Sequence, residues 1–149
     1  MKTLHFSIFI KAPAKEVWHA MLDDRPYREW TSAFNPGSYY EGSWEEGSKI
    51  LFLGPDESGN IMGLVSKIGE NREYEYISIH HLGVIKNGVE STDPEVTKGW
   101  EGAKENYTFK SENGGTTVLV DVDSTDDDAK YFENAWPDAL KKLKVIAER

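Results

Sequence analysis

The chain has 149 residues, with 26 acidic against 17 basic side chains, a formal charge of −9 and no cysteine. Its pI is near 4.9 and its one basic patch is the short run Lys141–Lys144, a poor match for nucleic-acid phosphates or an anionic membrane surface. The missing thiols exclude disulfides and thiolate metal sites, and no apolar run nears the ~20 residues of a membrane span.

Met1–Ser7 lacks the apolar core and small-residue cleavage site of a signal peptide, so the expectation is a cytoplasmic protein. No linker, repeat or low-complexity tract divides residues 1–149, which read as a single domain able to bury roughly 68–70% of its unfolded surface. Leu4–Lys11 reads as a first strand. Pro13 opens a helix whose apolar face is Val17, Trp18, Met21 and Leu22. Asp23-Asp24-Arg25-Pro26 ends it, and Pro26 starts a second short helix reaching Trp30. After the turn Asn35-Pro36-Gly37, six strands are predicted: Tyr39–Trp44, Lys49–Leu53, Ile61–Ile68, Glu75–Leu82, Lys104–Lys110 and Thr116–Asp123. The breaks fall at Glu46-Gly47, Gly54-Pro55, Ser58-Gly59-Asn60, Gly69-Glu70-Asn71 and Asn113-Gly114-Gly115. Gaps this short favour antiparallel pairing, because parallel neighbours need a crossover of about a dozen residues. The polar stretch Gly83–Gly99 reads either as a loop beside a cavity mouth or as an insertion.

The chain ends in its one long amphipathic helix, Thr125–Arg149. Phe132, Trp136, Leu140, Leu143 and Ala147 recur at steps of four, four, three and four, which lines them on one stripe. Asp126-Asp127-Asp128 suits the first turn, at the positive end of the helix dipole. Pro137 has no N–H for the carbonyl of Glu133, so a kink or a restart of the helix is expected there. The stripe needs cover, and the preceding sheet offers it. The predicted fold class is α+β: a curved antiparallel sheet around a long C-terminal helix, with two short helices after the first strand. Such packing leaves room for a cavity between helix and sheet, and function is expected there.

Strand alternation chooses the inner face. It selects Ile77, Ile79 and His81; Glu105, Tyr107 and Phe109; Thr116, Val118, Val120 and Val122; and, in Ile61–Ile68, Met62, Leu64, Ser66 and Ile68. Two polar groups, His81 and Glu105, therefore fall on an otherwise apolar surface. A buried carboxylate is costly unless paired or hydrogen-bonded. The pair either orients the polar end of a ligand, acts as an acid–base couple, or is a locally satisfied structural feature. His80 and His81 point to opposite faces and cannot share an ion, and no cluster at ligand spacing completes a metal site. Nothing in the motifs calls for a cofactor. The aromatics form a second group: Trp18 and Phe132 read as core filling, while Trp30, Phe34, Trp100 and Trp136 read as cavity lining. The candidate ligand-binding set is Trp30, Phe34, Phe52, Met62, Ile79, His81, Trp100, Glu105, Tyr107, Trp136 and Leu140, with Glu105 and His81 as the candidate catalytic residues.

Several stretches together resemble one superfamily: Ala12-Pro13-Ala14-Lys15-Glu16-Val17-Trp18, Trp30, the Trp44…Glu46-Gly47-Ser48 turn and Trp100…Glu105-Asn106-Tyr107-Thr108-Phe109, followed by Gly114-Gly115-Thr116-Thr117 and Trp136…Leu140…Leu143-Lys144. Over nearly its whole length the chain resembles the SRPBCC proteins, the START-related superfamily that includes the birch-pollen allergens and polyketide cyclases. Within it the pattern is most similar to the branch named for the C-terminal domain of the activator of heat-shock-protein-90 ATPase. The resemblance implies a helix-grip fold with a cavity for an apolar or amphipathic small molecule, and supplies no single catalytic set. Three functions follow as expectations. The first is non-catalytic binding of such a molecule. The second is a cavity enzyme (cyclase, dehydratase or hydrolase) using Glu105 with His81 or Tyr107. The third is a partner module for a chaperone, with a patch around Leu51, Leu53 and Leu119 serving a partner protein or a homodimer.

Overall fold

A computed structural model describes residues 1–149. The first strand, β1 (Lys2–Ile10), leads into two short helices, α1 (Ala14–Leu22) and α2 (Asp24–Trp30), and a 3-10 turn at Thr31–Ala33. Five strands follow: β2 (Tyr39–Gly42), β3 (Lys49–Pro55), β4 (Ile61–Arg72), β5 (Tyr76–Lys86) and β6 (Val89–Ser91). A four-residue helix, α3 (Pro94–Thr97), precedes β7 (Lys104–Glu112) and β8 (Gly115–Ser124), and α4 (Asp126–Ala147) closes the chain. The eight strands form one sheet in the order β1-β8-β7-β5-β4-β3-β2, with β6 added to β5, and every pairing is antiparallel. With α4 gripped by this sheet, the molecule has the helix-grip fold.

Most strands and helices fall where the pattern puts them, with local differences that have simple causes. Pro13 caps α1 from outside, at φ −62° and ψ 150°, instead of occupying its first turn. The second helix begins at Asp24 and carries Pro26 within its own first turn, where a missing N–H costs nothing. The strand expected to reach Trp44 stops at Gly42. Gly69-Glu70-Asn71 is not a break: β4 runs through it with a register shift between Ile68 and Glu70, the extra residue bending the strand without ending it. Gly83–Gly99 is neither open loop nor plain insertion. Here β5 continues to Lys86, turns at Asn87 (φ 52°) and Gly88 (φ 76°), and returns as β6. Two positive-φ residues are what a two-residue hairpin requires.

The N-terminus of α4 is held by Thr125, whose Oγ1 accepts the backbone N–H of Asp128 at 3.3 Å, with Asp126–Asp128 filling the first turn. The helix passes Pro137 as one element, without restarting. Its stripe meets the inner face that alternation selected. Ile77, Ile79, Val118 and Val120 are fully buried, and Tyr107, Val122, Trp136, Leu140 and Leu143 are at most 2% exposed. Together with Ile10, Val17, Met21 and Ile50 they form one core.

The expected outer patch does not exist as a surface. Leu53 is buried in a small second cluster with Val65 and Ile85. Leu119 lies on β8, separated from β3 by β7, β5 and β4 in the strand order, which is roughly 19 Å across the sheet at normal strand spacing.

Candidate functional site

The core is tight toward the C-terminal end of α4 and opens toward its N-terminal end. There a cavity of about 900 Å³ lies between α2, the sheet and α4. Drug-sized pockets run roughly 300–1,000 Å³, so this space is large enough for a guest. Tyr27, Trp30, Thr31 and Phe34 form one wall. Phe52, Leu64, His81, Glu105, Tyr107 and Val122 rise from the sheet, and Tyr131, Phe132 and Trp136 descend from α4.

Each wall is fixed by local bonds. Trp30 Nε1 donates to the carbonyl of Met21 at 2.9 Å, which sets the indole edge-on against Tyr27, with ring centroids 5.5 Å apart. Tyr40 and Trp44 both donate to the carbonyl of Leu22, at 2.7 and 2.9 Å, tying the end of α1 to β2 and the turn after it. Trp136 is the hub. Phe34 stands 5.0 Å from it, Trp30 5.7 Å and Tyr107 6.0 Å, all within the range of favourable ring pairs. Its Nε1 is buried and has no hydrogen-bond partner.

The mouth is built from Asn35–Ser38 and the β3–β4 hairpin. Asn35 links them, donating through Nδ2 to the carbonyl of Pro55 at 2.8 Å while its Oδ1 accepts from Gly37 N at 3.0 Å. Gly63 is needed here: a Cβ would lie 1.8 Å from the carbonyl oxygen of Phe52. Trp100 reaches the same mouth from the segment after α3. That segment pairs with the backbone of His81, which donates to the carbonyl of Ala103 at 2.8 Å and accepts from Gly102 N at 2.9 Å. Trp100 is thereby placed edge-on to both His81 and Phe132, at 6.5 and 6.0 Å.

Glu105 and His81 lie together in this wall. Glu105 pairs with Ile79 in register, so His81 is its diagonal neighbour on the same face, and His81 Nε2 stands 3.8 Å from Glu105 Oε1. Glu105 Oε2 accepts the hydroxyl of Tyr107. Burial, then the charge of Glu105, pushes the Tyr107 hydroxyl well above its ordinary pKa; the same two causes, in the same order, raise that of Tyr27. His81 Nδ1 shares a 2.7 Å hydrogen bond with the hydroxyl of Ser66. Serine, histidine and glutamate in sequence suggest a nucleophilic triad, but Ser66 is fully buried and outside the cavity wall. Its hydroxyl positions the imidazole and does not border the cavity. His80 points the other way, with Nε2 3.1 Å from Ser78 Oγ.

Nine of the candidate ligand-binding residues line the cavity: Trp30, Phe34, Phe52, Met62, His81, Trp100, Glu105, Tyr107 and Trp136. Ile79 and Leu140 do not; both are sealed in the core at 0% and 2% exposure, because alternation gives a face but not a position along it. Phe132 is wall and not core filling. Trp18 is core, 5.0 Å from Phe109 and 6.1 Å from Tyr74. Tyr27 and Tyr131 were missed. Tyr27 follows a run that reads only as a helix stop, and Tyr131 sits one position off the apolar stripe.

Comparison with known proteins agrees with this architecture. The family model for activator of Hsp90 ATPase homolog 1-like protein matches residues 11–148, and the chain belongs to that family. No curated protein matches it in sequence. Among solved structures, an uncharacterised protein from Rhizobium leguminosarum superposes with a TM-score of 0.73 at 16% identity, covering 99% of this chain and 95% of that one. The Aha1 dimer from Colwellia psychrerythraea gives 0.70 at 18%, covering 99% and 97%. CalU16 from Micromonospora echinospora gives 0.65 at 16%, covering 97% and 75%. At these identities the likeness is one of fold, and with the family match it bears out the SRPBCC resemblance. No helix is long and apolar enough to cross a membrane.

Proposed function

We propose that the chain, acting as one domain over residues 1–149, binds a hydrophobic or amphipathic small molecule in the space between α4 and the sheet. The observation that carries this reading is the cavity itself, about 900 Å³ within a domain of this size, with nine aromatic side chains in its wall. A side-chain core closes to near crystal density and leaves few voids larger than a water molecule. Nine aromatic side chains around an open volume cost packing energy that a guest's apolar surface restores. The family to which the chain belongs supports the same reading.

The test is titration with N-phenyl-1-naphthylamine, an uncharged probe whose emission rises in apolar surroundings. Saturable enhancement with quenching of tryptophan emission is the expected result. Leu64→Trp, which pushes an indole into the cavity from β4, weakens the probe roughly tenfold or more while the fold is kept. No saturable binding, or equal binding by Leu64→Trp, overturns the reading.

A second reading has one observation in its favour. Glu105 shares a hydrogen bond with Tyr107 and stands 3.8 Å from His81, so three groups able to carry a proton face one cavity. Glu105→Gln leaving turnover of a bound substrate unchanged excludes it. Pairing of two chains, as in the Colwellia Aha1 dimer, belongs to the proposal as well; light scattering then gives twice the 16.9 kDa chain mass.

A further inference from the structure

Which guest the cavity selects depends on its charges. Its acidic side chains are Glu105 inside and Asp56 and Glu57 at the mouth, and no lysine or arginine lines it. Glu105 is only 20% exposed. One of its oxygens is engaged by the neutral Tyr107 hydroxyl, while the other has His81 Nε2 at 3.8 Å, beyond hydrogen-bond reach. A carboxylate taken this far out of water is costly unless its charge is balanced, and beyond the Tyr107 hydroxyl and the imidazole of His81 the cavity wall offers it no basic side chain.

The rings point the same way. Tyr27, Phe52, Trp100, Phe132 and Trp136 line the same cavity as Glu105, and aromatic faces are electronegative. They attract a cation that has already lost part of its water. A fatty-acid carboxylate or a phosphate would meet three acidic side chains and no lysine or arginine. An ammonium group would meet a carboxylate oxygen that has no hydrogen bond, in a cavity lined by aromatic rings.

We infer that the guest is a cationic amphiphile, a protonated amine on an aromatic or alicyclic body, with its ammonium group at Glu105 and its body among the rings of Trp30, Phe34, Phe132 and Trp136. This rests on the cavity-binding reading above and deepens it.

Four probes with one shared body test it by calorimetry at physiological salt: 1-naphthylmethylamine, 1-naphthylmethanol, 1-methylnaphthalene and 1-naphthoate. The amine is expected to bind about tenfold tighter than the alcohol, and the naphthoate weakest of the four. Glu105→Gln brings the amine to the level of the alcohol and moves the alcohol itself less than about threefold, which also reports an intact cavity. Glu16→Gln removes the same charge from an exposed position on α1 and keeps the amine preference, separating the site from the net charge of −9. If alcohol and hydrocarbon bind but the amine is not preferred, or the preference survives Glu105→Gln, the inference fails and the cavity reading stands. If none of the four binds, both fail.

Discussion

The two halves of α4 do different work on the same sheet. From Leu140 to Ala147 its stripe meets α1 and β1 in a solid core, where Leu143, Ala139, Val17 and Met21 are at most marginally exposed. From Phe132 to Trp136 the same stripe overhangs open volume, and the side chains opposite it are His81, Glu105 and Tyr107. The strands show the same split: along β5, Ile77 and Ile79 are sealed while His81 lines the cavity. One end is packed to hold the helix down, so the other end can remain unfilled. The molecule separates a packed end from an open one along one axis.

Substitutions at the two ends break or sharpen that contrast. Leu143→Ala, at the packed end, is expected to cost about 2–5 kcal/mol, read from the denaturation midpoint, because the void left in a rigid core does not collapse. Probe affinity of the folded fraction stays unchanged. Phe132→Ala, at the open end, reverses the pattern. The ring is half-buried and already borders empty space, so stability falls by less than about 1.5 kcal/mol while probe binding weakens roughly tenfold. Equal stability losses at the two positions would dissolve the distinction.

A smaller effect concerns alkaline pH. Burial, then Glu105, raises the Tyr27 hydroxyl well above its ordinary value, so the unfolded chain releases this proton first. The stability it contributes is full below about pH 10, the unfolded tyrosine value, and declines as pH rises further. Tyr27→Phe is therefore expected to flatten the fall in unfolding free energy between about pH 9.5 and 11. An unchanged slope would mean that the cavity admits water and hydroxide freely to Tyr27.

Much of this division could be read from the chain. The spacing of Phe132, Trp136, Leu140, Leu143 and Ala147 carries the helix and its face, and the period-two pattern of Val118, Val120 and Val122 carries the opposing wall. Two polar residues on that wall, His81 and Glu105, were visible as exceptions to it. Depth was not visible. Ile79 and His81 share a face and are both buried, and only the tertiary packing decides that His81 borders the cavity and Ile79 does not. β6 was missed because Val89-Glu90-Ser91 is three residues with no alternation, its strand character coming entirely from pairing with β5. The mouth depends on the register of β3 with β4 and on the bulge between Val65 and Ser66, which alternation within single strands does not encode.

The five tryptophans offer the most direct measurement. Their indole N–H signals resolve in a two-dimensional nitrogen–proton NMR spectrum, and Trp30, Trp100 and Trp136 line the cavity while Trp18 sits in the solid core. During titration with 1-naphthylmethanol the first three signals shift together and saturate, and that of Trp18 stays in place. If all three hold still, or if Trp18 moves with them, α4 does not enclose a space that takes a guest.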